Sequence, residues 1–204
     1  MLEAQQLAAQ RGTAVLFADV NFSLRAGDAL LVTGANGSGK TTLSKIVAGL
    51  TRPVAGSLFW QGAGVAPFDG ALRASTLYLG HAPALNDDLT AEENLVALVR
   101  LHGAMTDTAN IRAALAAWSL DAQRALPARA LSQGQRRRVG LSRLCLLRRA
   151  LWVLDEPTTA LDADGVALLE QHLSAHLGDG GIALVATHHD LALAAGAKHT
   201  LQLQ

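Results

Sequence analysis

The chain has 204 residues, half of them hydrophobic, and its 17 basic and 17 acidic residues give a formal net charge of zero. This length allows one domain with a sizeable core, and the balanced charge argues against a nucleic-acid-binding protein, which usually has a basic excess. The single cysteine, Cys145, excludes an internal disulfide and a cysteine metal cluster and suits a reducing cytosol. The N-terminus lacks the pattern of a signal peptide, and no run approaches about eighteen uncharged apolar residues. We therefore expect any membrane part of the system to be another chain.

The first third of the chain predicts short strands separated by turns. Alternating or continuous apolar residues predict strands at 14–17, 20–24, 29–33, 57–60 and 75–79. Residues 25–28 predict the turn that leads into the third of these strands. A helix is predicted to begin near Lys40 and to run to about Leu50.

A glycine loop joins the strand at 29–33 to that helix, and it fits the pattern G-x-x-x-x-G-K-[ST] of phosphate-binding loops. Its glycines let backbone N–H groups turn toward an anion, and the helix directs the positive end of its dipole to the same place. Lys40 adds a charge for the β- and γ-phosphates, and the Thr41 hydroxyl is placed to bind Mg²⁺. The loop therefore predicts a nucleoside triphosphate site, with nucleotide-binding residues Gly34, Ala35, Asn36, Gly37, Ser38, Gly39, Lys40, Thr41 and Thr42.

The middle of the chain predicts helices. Thr90 and Glu93 have the spacing of a capping box, which predicts a helix through about Leu101. A second helical pattern covers 111–118, and Pro127 interrupts the chain before a third helix. We expect the alanine- and leucine-rich stretch at about 81–149 to form a helical subdomain inserted into an α/β core.

The last quarter returns to alternating strands and helices. The pattern predicts a strand at 150–154, a helix at 163–177, a strand at 182–186, a short helix and a last strand at 200–203. The predicted fold class is α/β, with a mainly parallel phosphate-loop core, an antiparallel β subdomain from the N-terminal third and the inserted helical subdomain. One domain would cover 1–204.

Two acids, Asp155 and Glu156, follow the apolar strand predicted at 150–154. A buried strand that ends in carboxylates places them at the carboxyl edge of the sheet, where the phosphate loop also lies. Asp155 is then expected to hold Mg²⁺ through water, and Glu156 to polarise the attacking water as a general base.

A second motif, Leu131-Ser-Gln-Gly-Gln135, begins the third helix of the middle region. A serine and a glycine at a helix N-terminus form an anion site. The same residues also fit an ordinary capping box, because Ser132 and Gln135 have that spacing. From the residues alone, the two interpretations remain open.

The order and spacing of these motifs, followed by Thr187 and His188, resemble the ATP-binding subunits of ABC transporters over essentially the whole chain. In that family two cassettes dimerise head to tail and enclose two ATP molecules. The resemblance implies ATP and Mg²⁺ as ligands, a second copy of the chain as partner, and catalytic roles for Glu156 and His188. It also implies that the second motif is the family's signature sequence, which contacts the ATP bound by the partner copy through Leu131, Ser132, Gln133, Gly134 and Gln135. Leu161 and Asp162 match the family's D-loop.

Two departures from the usual family pattern narrow the resemblance. Arg11 stands where cassettes usually place an aromatic residue that stacks on adenine, and its guanidinium plane can also stack. His81 stands where cassettes usually have a glutamine, and we expect a coupling role for it. With 78–81, 89–95 and 134–137, these residues are similar to the cassettes of cytochrome c maturation. That similarity implies a role in haem handling, separate integral membrane subunits as partners, and a peripheral position on the cytoplasmic face of the bacterial inner membrane.

Three rival functions are open. A soluble ABC ATPase acting on DNA or ribosomes would need a coiled coil or a tandem cassette, and the chain has neither. A small-molecule phosphotransferase would not need the signature at 131–135. The third rival is a cassette of the same class that serves another substrate. Only Arg11, His81 and the similarities just given argue against it.

Other residues are expected to be structural. His172 and His176 lie one helical turn apart, but with no third ligand nearby in sequence a solvated helix face is favoured over a metal site. Cys145 lies among leucines and is expected to be an inert core residue. A basic helix is expected to pack its side-chain stems and place its charges in water or on acidic partners, with members Arg136, Arg137, Arg138, Arg143, Arg148 and Arg149.

Overall fold

The computed structural model describes residues 1–194 and 196–204. The chain divides into two compact units. The first, here called the sheet unit, consists of Met1–Gly80, Arg149–Glu156 and Leu173–Gln204. The second, here called the helical unit, consists of His81–Arg148 and Pro157–His172.

A parallel sheet of apolar strands forms the centre of the sheet unit. Its strands are β3 (Ala29–Gly34), β6 (Thr76–Leu79), β7 (Leu151–Asp155), β8 (Ile182–Ala186) and β9 (Lys198–Leu203). They are arranged in the order β6-β7-β8-β3-β9, and all neighbours run parallel. All residues of β7 and β8 are buried, as is typical of parallel strands covered on both faces. The carboxyl ends of β3, β7 and β8 therefore meet at one edge of the sheet.

An antiparallel sheet is the second layer of the sheet unit. It contains β1 (Leu2–Arg11), β2 (Ala14–Leu24), β4 (Ala55–Trp60) and β5 (Ala63–Gly64), in the order β2-β1-β4-β5. The sequence predicted two strands in place of β2. The structure has one strand with a bulge, because Asp19 takes a φ of 54°. Asn21 stabilises the irregular pairing by accepting the N–H of Gln6 at 2.8 Å.

Two helices of the sheet unit follow its strands: α1 (Lys40–Val47) and α2 (Gly70–Ser75). Leu43, Ile46 and Val47 of α1 are buried in the core formed with the strands. The predicted strand at 75–79 starts one residue too early, because Ser75 ends α2. The α/β class, with one parallel and one antiparallel sheet, is confirmed.

The helical unit contains α3 (Ala91–Leu101), α4 (Thr108–Ala117), α5 (Gln133–Leu141) and α6 (Arg143–Leu146). The predicted capping box is present at α3, where Thr90 and Glu93 exchange hydrogen bonds with each other's backbone. A further helix, α7 (Ala163–Gly178), contributes residues to both units. Across the part of the chain that the structure describes, no helix has both the length and the apolar character needed to cross a membrane.

The C-terminal prediction was partly wrong. Residues 187–194 contain no helix, and β9 begins at Lys198 rather than at residue 200. Ala195, which the predicted short helix could also have included, lies outside the described residues.

The histidines of α7 do not form a solvated face. The His172 ring stacks on Trp118 with centroids 5.0 Å apart, and the His176 ring stacks on Trp152 at 3.9 Å. Both rings are half-buried, and burial lowers the pKa of each. The expectation that Cys145 is a core residue was also wrong, because the residue is exposed, and its Sγ lies 3.9 Å from His172 Nε2.

Candidate functional site

The predicted phosphate loop connects the end of β3 to the start of α1 in the sheet unit. Its glycines have φ values of 142° at Gly34, 89° at Gly37 and 101° at Gly39, in the region that favours glycine. A Cβ at Gly34 would lie 2.5 Å from the Leu203 carbonyl oxygen, and one at Gly39 would lie 2.8 Å from the Phe17 ring. The backbone path of the loop therefore depends on glycine at both positions.

The Lys40 ammonium is folded back over the loop. Its Nζ donates to the carbonyl oxygens of Gly34 at 2.8 Å and Ala35 at 3.2 Å, and it lies 3.8 Å from Glu156 Oε1. The Lys40 side chain is only 7% exposed. A buried cation at the first residue of a helix favours binding of an anion.

The Ser38 hydroxyl fits the same ligand. Its Oγ is buried and has no hydrogen-bond partner among the residues that the structure describes. A buried polar atom without a partner is costly, and a phosphate oxygen would remove that cost. Of the other predicted loop residues, Ala35 and Asn36 are exposed and Thr42 is half-buried.

A hydroxyl and a carboxylate meet beside the loop. Thr41 Oγ1 donates to Asp155 Oδ1 at 3.1 Å, which joins the start of α1 to the end of β7. Hard oxygen ligands of this kind suit Mg²⁺, which is typically bound by one or two carboxylates together with phosphates and water. The described residues contain no group of three or more His, Cys, Asp or Glu side chains that could hold a metal ion.

Glu156 and His188 face each other at the same edge of the sheet. His188 Nε2 lies 3.2 Å from Glu156 Oε1, and the Glu156 N–H donates to Ala186 O at 2.8 Å. Glu156 has a φ of 50°, a left-handed conformation that costs about 1–3 kcal/mol for a non-glycine residue. Thr187 directly follows β8, and its N–H donates to the Val32 carbonyl oxygen of β3 at 3.1 Å. The predicted acid, histidine and lysine are thus brought together.

Tyr78 is a site neighbour that the sequence analysis named only as part of the similarity at 78–81. It lies on β6 beside β7, and burial together with the Asp155 carboxylate raises the pKa of its phenol to about 12. The phenol therefore stays neutral at physiological pH. An aromatic residue in an apolar strand is typical of a core position, so nothing in the sequence indicated that Tyr78 lies near Asp155.

In the helical unit, the motif at 131–135 forms the N-terminus of α5. Ser132 Oγ accepts the N–H of Gln135 at 3.2 Å, and Gln135 Oε1 accepts the N–H of Ser132 at 2.9 Å. The capping box is therefore present, while the anion-binding interpretation stays a prediction. Leu131 is buried and Gln133 is exposed.

The N-terminal half of α5 lies against the predicted D-loop. A Cβ on Gly134 would lie 2.7 Å from Ala160 O, so this approach needs glycine. Arg138 pairs with Asp162, whose carboxylate also accepts the N–H of Gly165 at 2.9 Å. The Gly165 N–H and the Arg138 guanidinium lower the pKa of Asp162. Leu161 is half-buried beside this pair.

The two residues that depart from the family pattern are both exposed. Arg11 ends β1 and precedes the turn at Gly12, which has a φ of 58°. Arg11 forms no ion pair within 1–194 and 196–204. His81 exposes its side chain, while its carbonyl oxygen accepts a hydrogen bond from Arg137 at 2.7 Å.

The basic helix is only partly as expected. Arg136 and Arg138 do pair with acids, Asp87 and Asp162. Arg137 and Arg143 instead are buried, each only 6% exposed, and place guanidinium groups on backbone carbonyls. The run of arginines was the only sequence signal for these two, and it did not separate buried members from exposed ones.

Comparison with known proteins is consistent with this geometry. The family model described as ABC transporter matches residues 17–159. The cytochrome c biogenesis ATP-binding export protein CcmA of Cupriavidus necator is 46% identical over 203 residues, covering 100% of this chain and 88% of that relative.

Solved structures share the fold. An ABC transporter ATP-binding protein of Pyrococcus furiosus has a TM-score of 0.84 at 24% identity, covering 99% of this chain and 96% of that one. A dimeric ATP-binding cassette in a post-hydrolysis state with ADP and Pi has a TM-score of 0.80, also at 24% identity, covering 93% of this chain and 88% of that one. At these identities the likeness concerns the fold.

Proposed function

The chain belongs to the ABC transporter family as an ATP-binding subunit, and from this premise we propose that it hydrolyses ATP to drive an export complex that handles haem in cytochrome c maturation. The observation that carries the proposal is the assembly of Lys40, Asp155, Glu156 and His188 around the phosphate loop, in a chain 46% identical to a cytochrome c biogenesis export protein.

The phosphates of ATP are bound by the loop from Gly34 to Thr42. The buried Lys40 ammonium exchanges its two carbonyl partners for phosphate oxygens, and the Ser38 hydroxyl gains a partner. Thr41 and Asp155 would hold Mg²⁺, Asp155 through water, and the ion would neutralise charge on the β- and γ-phosphates.

Glu156 acts as the general base. Its carboxylate lies within 3.8 Å of Lys40 Nζ and 3.2 Å of His188 Nε2, so it is held at the loop between two nitrogens. It accepts the proton of the attacking water, and His188 contacts the γ-phosphate beside it. Positioning and charge stabilisation, rather than covalent chemistry, then lower the barrier.

The second half of the ATP site comes from another copy of the chain. Ser132 and Gly134 contact the γ-phosphate bound by the partner copy, and Leu161 and Asp162 accompany them. Three features support this proposal: the exposed Ser132 at a helix N-terminus, the close packing of Gly134 on the D-loop, and the dimeric state of a solved neighbour. Closure on two ATP molecules and reopening after hydrolysis would move the attached membrane subunits.

The partners in this proposal are separate integral membrane subunits of the cytochrome c maturation system. The chain would be peripheral to them on the cytoplasmic face of the bacterial inner membrane, with His81 at the coupling surface. The function named for the Cupriavidus necator relative supports this assignment, as do Arg11 and His81, which depart from the usual cassette pattern. A cassette of the same class that serves another substrate is the alternative.

A single substitution, Glu156→Gln, tests both the proposed ATP hydrolysis and the proposed role in cytochrome c maturation. It keeps the size of the side chain and removes the base, so hydrolysis by the purified protein should fall by about a hundredfold or more. ATP should still bind, and ATP-dependent dimers should accumulate on size-exclusion chromatography. Glu92→Gln is the matched control, because Glu92 only pairs with Arg112 on α3 and α4, and it should leave hydrolysis unchanged.

The same variant is then introduced as the only copy in the cell. Haem-stained gels should show loss of holo-cytochrome c, while an antibody still detects the apoprotein. Full ATPase activity of Glu156→Gln would remove this residue from the mechanism. An inactive variant with normal holo-cytochrome c would keep the ATPase assignment and reject the haem pathway.

A further inference from the structure

We propose that Arg137 is a positioning residue that connects the segment at His81 to Pro157, the residue that follows the proposed base Glu156 in sequence, so that one buried guanidinium sets the backbone geometry at both places. This inference rests on the proposed ATPase function and names a residue through which that site would be regulated. Every contact that carries it lies within the helical unit.

The Arg137 side chain joins three motifs. It projects from α5, which begins with Ser132, and it is 6% exposed. Its Nε donates to Pro157 O at 3.1 Å, and its Nη1 donates to His81 O at 2.7 Å. Pro157 directly follows the proposed base Glu156, and His81 is the proposed coupling residue. A single side chain therefore holds the backbone next to both.

A second contact fixes the same segment on the same face of α5. Gly140 lies three residues after Arg137, so the two share one side of the helix. A Cβ on Gly140 would lie 3.2 Å from Pro83 Cβ, which shows that the chain just after His81 packs directly on the helix backbone. The segment at 81–83 is thus held at two consecutive turns of α5.

The adjacent stripe of the helix surface has different partners. Gly134 and Arg138 lie four residues apart and contact Ala160 and Asp162. A displacement of the segment at 81–83 would thus be transmitted through Arg137 to Pro157, while Arg138 carries α5 and the D-loop together.

The chemistry of a guanidinium suits this position. Two planar N–H donors reach two carbonyl oxygens in fixed directions, which a lysine ammonium or an amide does less well. The surroundings disfavour a positive charge, since burial and the Arg137 charge lower the pKa of the neighbouring buried Arg143 to about 10. Buried charges are weak evidence for stability, so a role in geometry is the better account of Arg137.

The test compares purified variants by ATPase kinetics and thermal unfolding. Arg137→Gln should lower kcat about tenfold to a hundredfold, the scale of a small misplacement at a reacting centre. It should leave KM for ATP within about twofold, because the phosphate loop is untouched. Arg137→Lys keeps the charge and one donor and should have an intermediate kcat. The control, Arg129→Gln, removes the same charge from an exposed pair with Asp88 and should match wild type.

Three outcomes would overturn the inference. One is a folded Arg137→Gln with wild-type kcat. Another is a parallel loss of kcat and melting temperature with no recovery in Arg137→Lys, since that pattern describes a purely structural residue. The third is failure of both variants to fold. If wild type itself hydrolyses no ATP, the proposed function fails and takes the inference with it, a result distinct from the first three.

Discussion

Gly34→Ala should destabilise the protein through two separate effects. The φ of 142° costs an alanine about 1–3 kcal/mol in backbone strain. The new Cβ would also lie 2.5 Å from Leu203 O and 2.7 Å from Ser38 Oγ. Because Gly34 and Leu203 are paired in the parallel sheet, the carbonyl cannot move without displacing β9, and overpacking of this kind costs about 1–3 kcal/mol more. Together the free energy of unfolding should fall by about 4 kcal/mol.

Gly37→Ala separates the two effects. Gly37 has a φ of 89°, but no heavy atom lies within 4 Å of the place that a Cβ would occupy, so only the backbone strain applies. For a chain of this length each kcal/mol lowers the melting temperature by about 2–4 °C. Thermal unfolding without nucleotide should therefore show a loss of about 10 °C for Gly34→Ala and about 5 °C for Gly37→Ala. Equal losses for the two variants would refute the claim that β9 constrains Gly34.

Two further predictions concern charged side chains. If Arg11 stacks on adenine, Arg11→Ala should weaken ATP binding by about 1 kcal/mol in nucleotide titrations, and Arg11→Tyr should restore most of it; an unchanged affinity would mean that the base is held elsewhere. The pKa of Asp162 is lowered by the Gly165 N–H and Arg138, so its contribution to stability is present above its ordinary pKa and is lost as the pH falls through the folded value. Urea unfolding of wild type and Asp162→Asn should thus differ near neutral pH and converge as the pH falls through the folded pKa of Asp162, and a difference that is constant with pH would contradict this.

The parts of the fold that the sequence predicted well are those with a strong local signal. The strand at 182–186 was predicted with its observed bounds because its five residues are all apolar, and in the structure all five are buried. The start of α3 was predicted from its capping box, whose hydrogen bonds need only residues 90–93. The phosphate loop follows from glycine and lysine spacing, since its geometry is mostly backbone.

Other features depend on contacts distant in sequence. The bulge at Asp19 could not be distinguished from a turn between two strands, because it is completed by Asn21 and Gln6 on two strands. The short helix α2 has one buried residue, Leu72, and too few turns for periodicity to show. Cys145 lies among leucines in sequence but is exposed in the structure, and α6, with four residues, is too short for periodicity to show which positions are buried.

For the candidate site, the sequence predicted which residues take part but carried no signal for the distances between them. Lys40, Asp155 and Glu156 were assigned from motifs and His188 from the family resemblance, yet the distances that join them arise from the order of β3, β7 and β8 in the sheet. Arg137 illustrates the limit. One of three consecutive arginines is buried, and only the packing of 81–83 and 157 against α5 selects it.

The two stacked tryptophan–histidine pairs allow each unit to be followed by intrinsic tryptophan fluorescence. Trp118 with His172 belongs to the helical unit, and Trp152 with His176 belongs to the sheet unit. A protonated imidazole quenches the fluorescence of an indole in contact with it, and burial lowers the pKa of both histidines below the usual 6.5. Neutral pH therefore favours the unquenched state, and acid titration of single-tryptophan variants would follow protonation of the histidine in each unit separately.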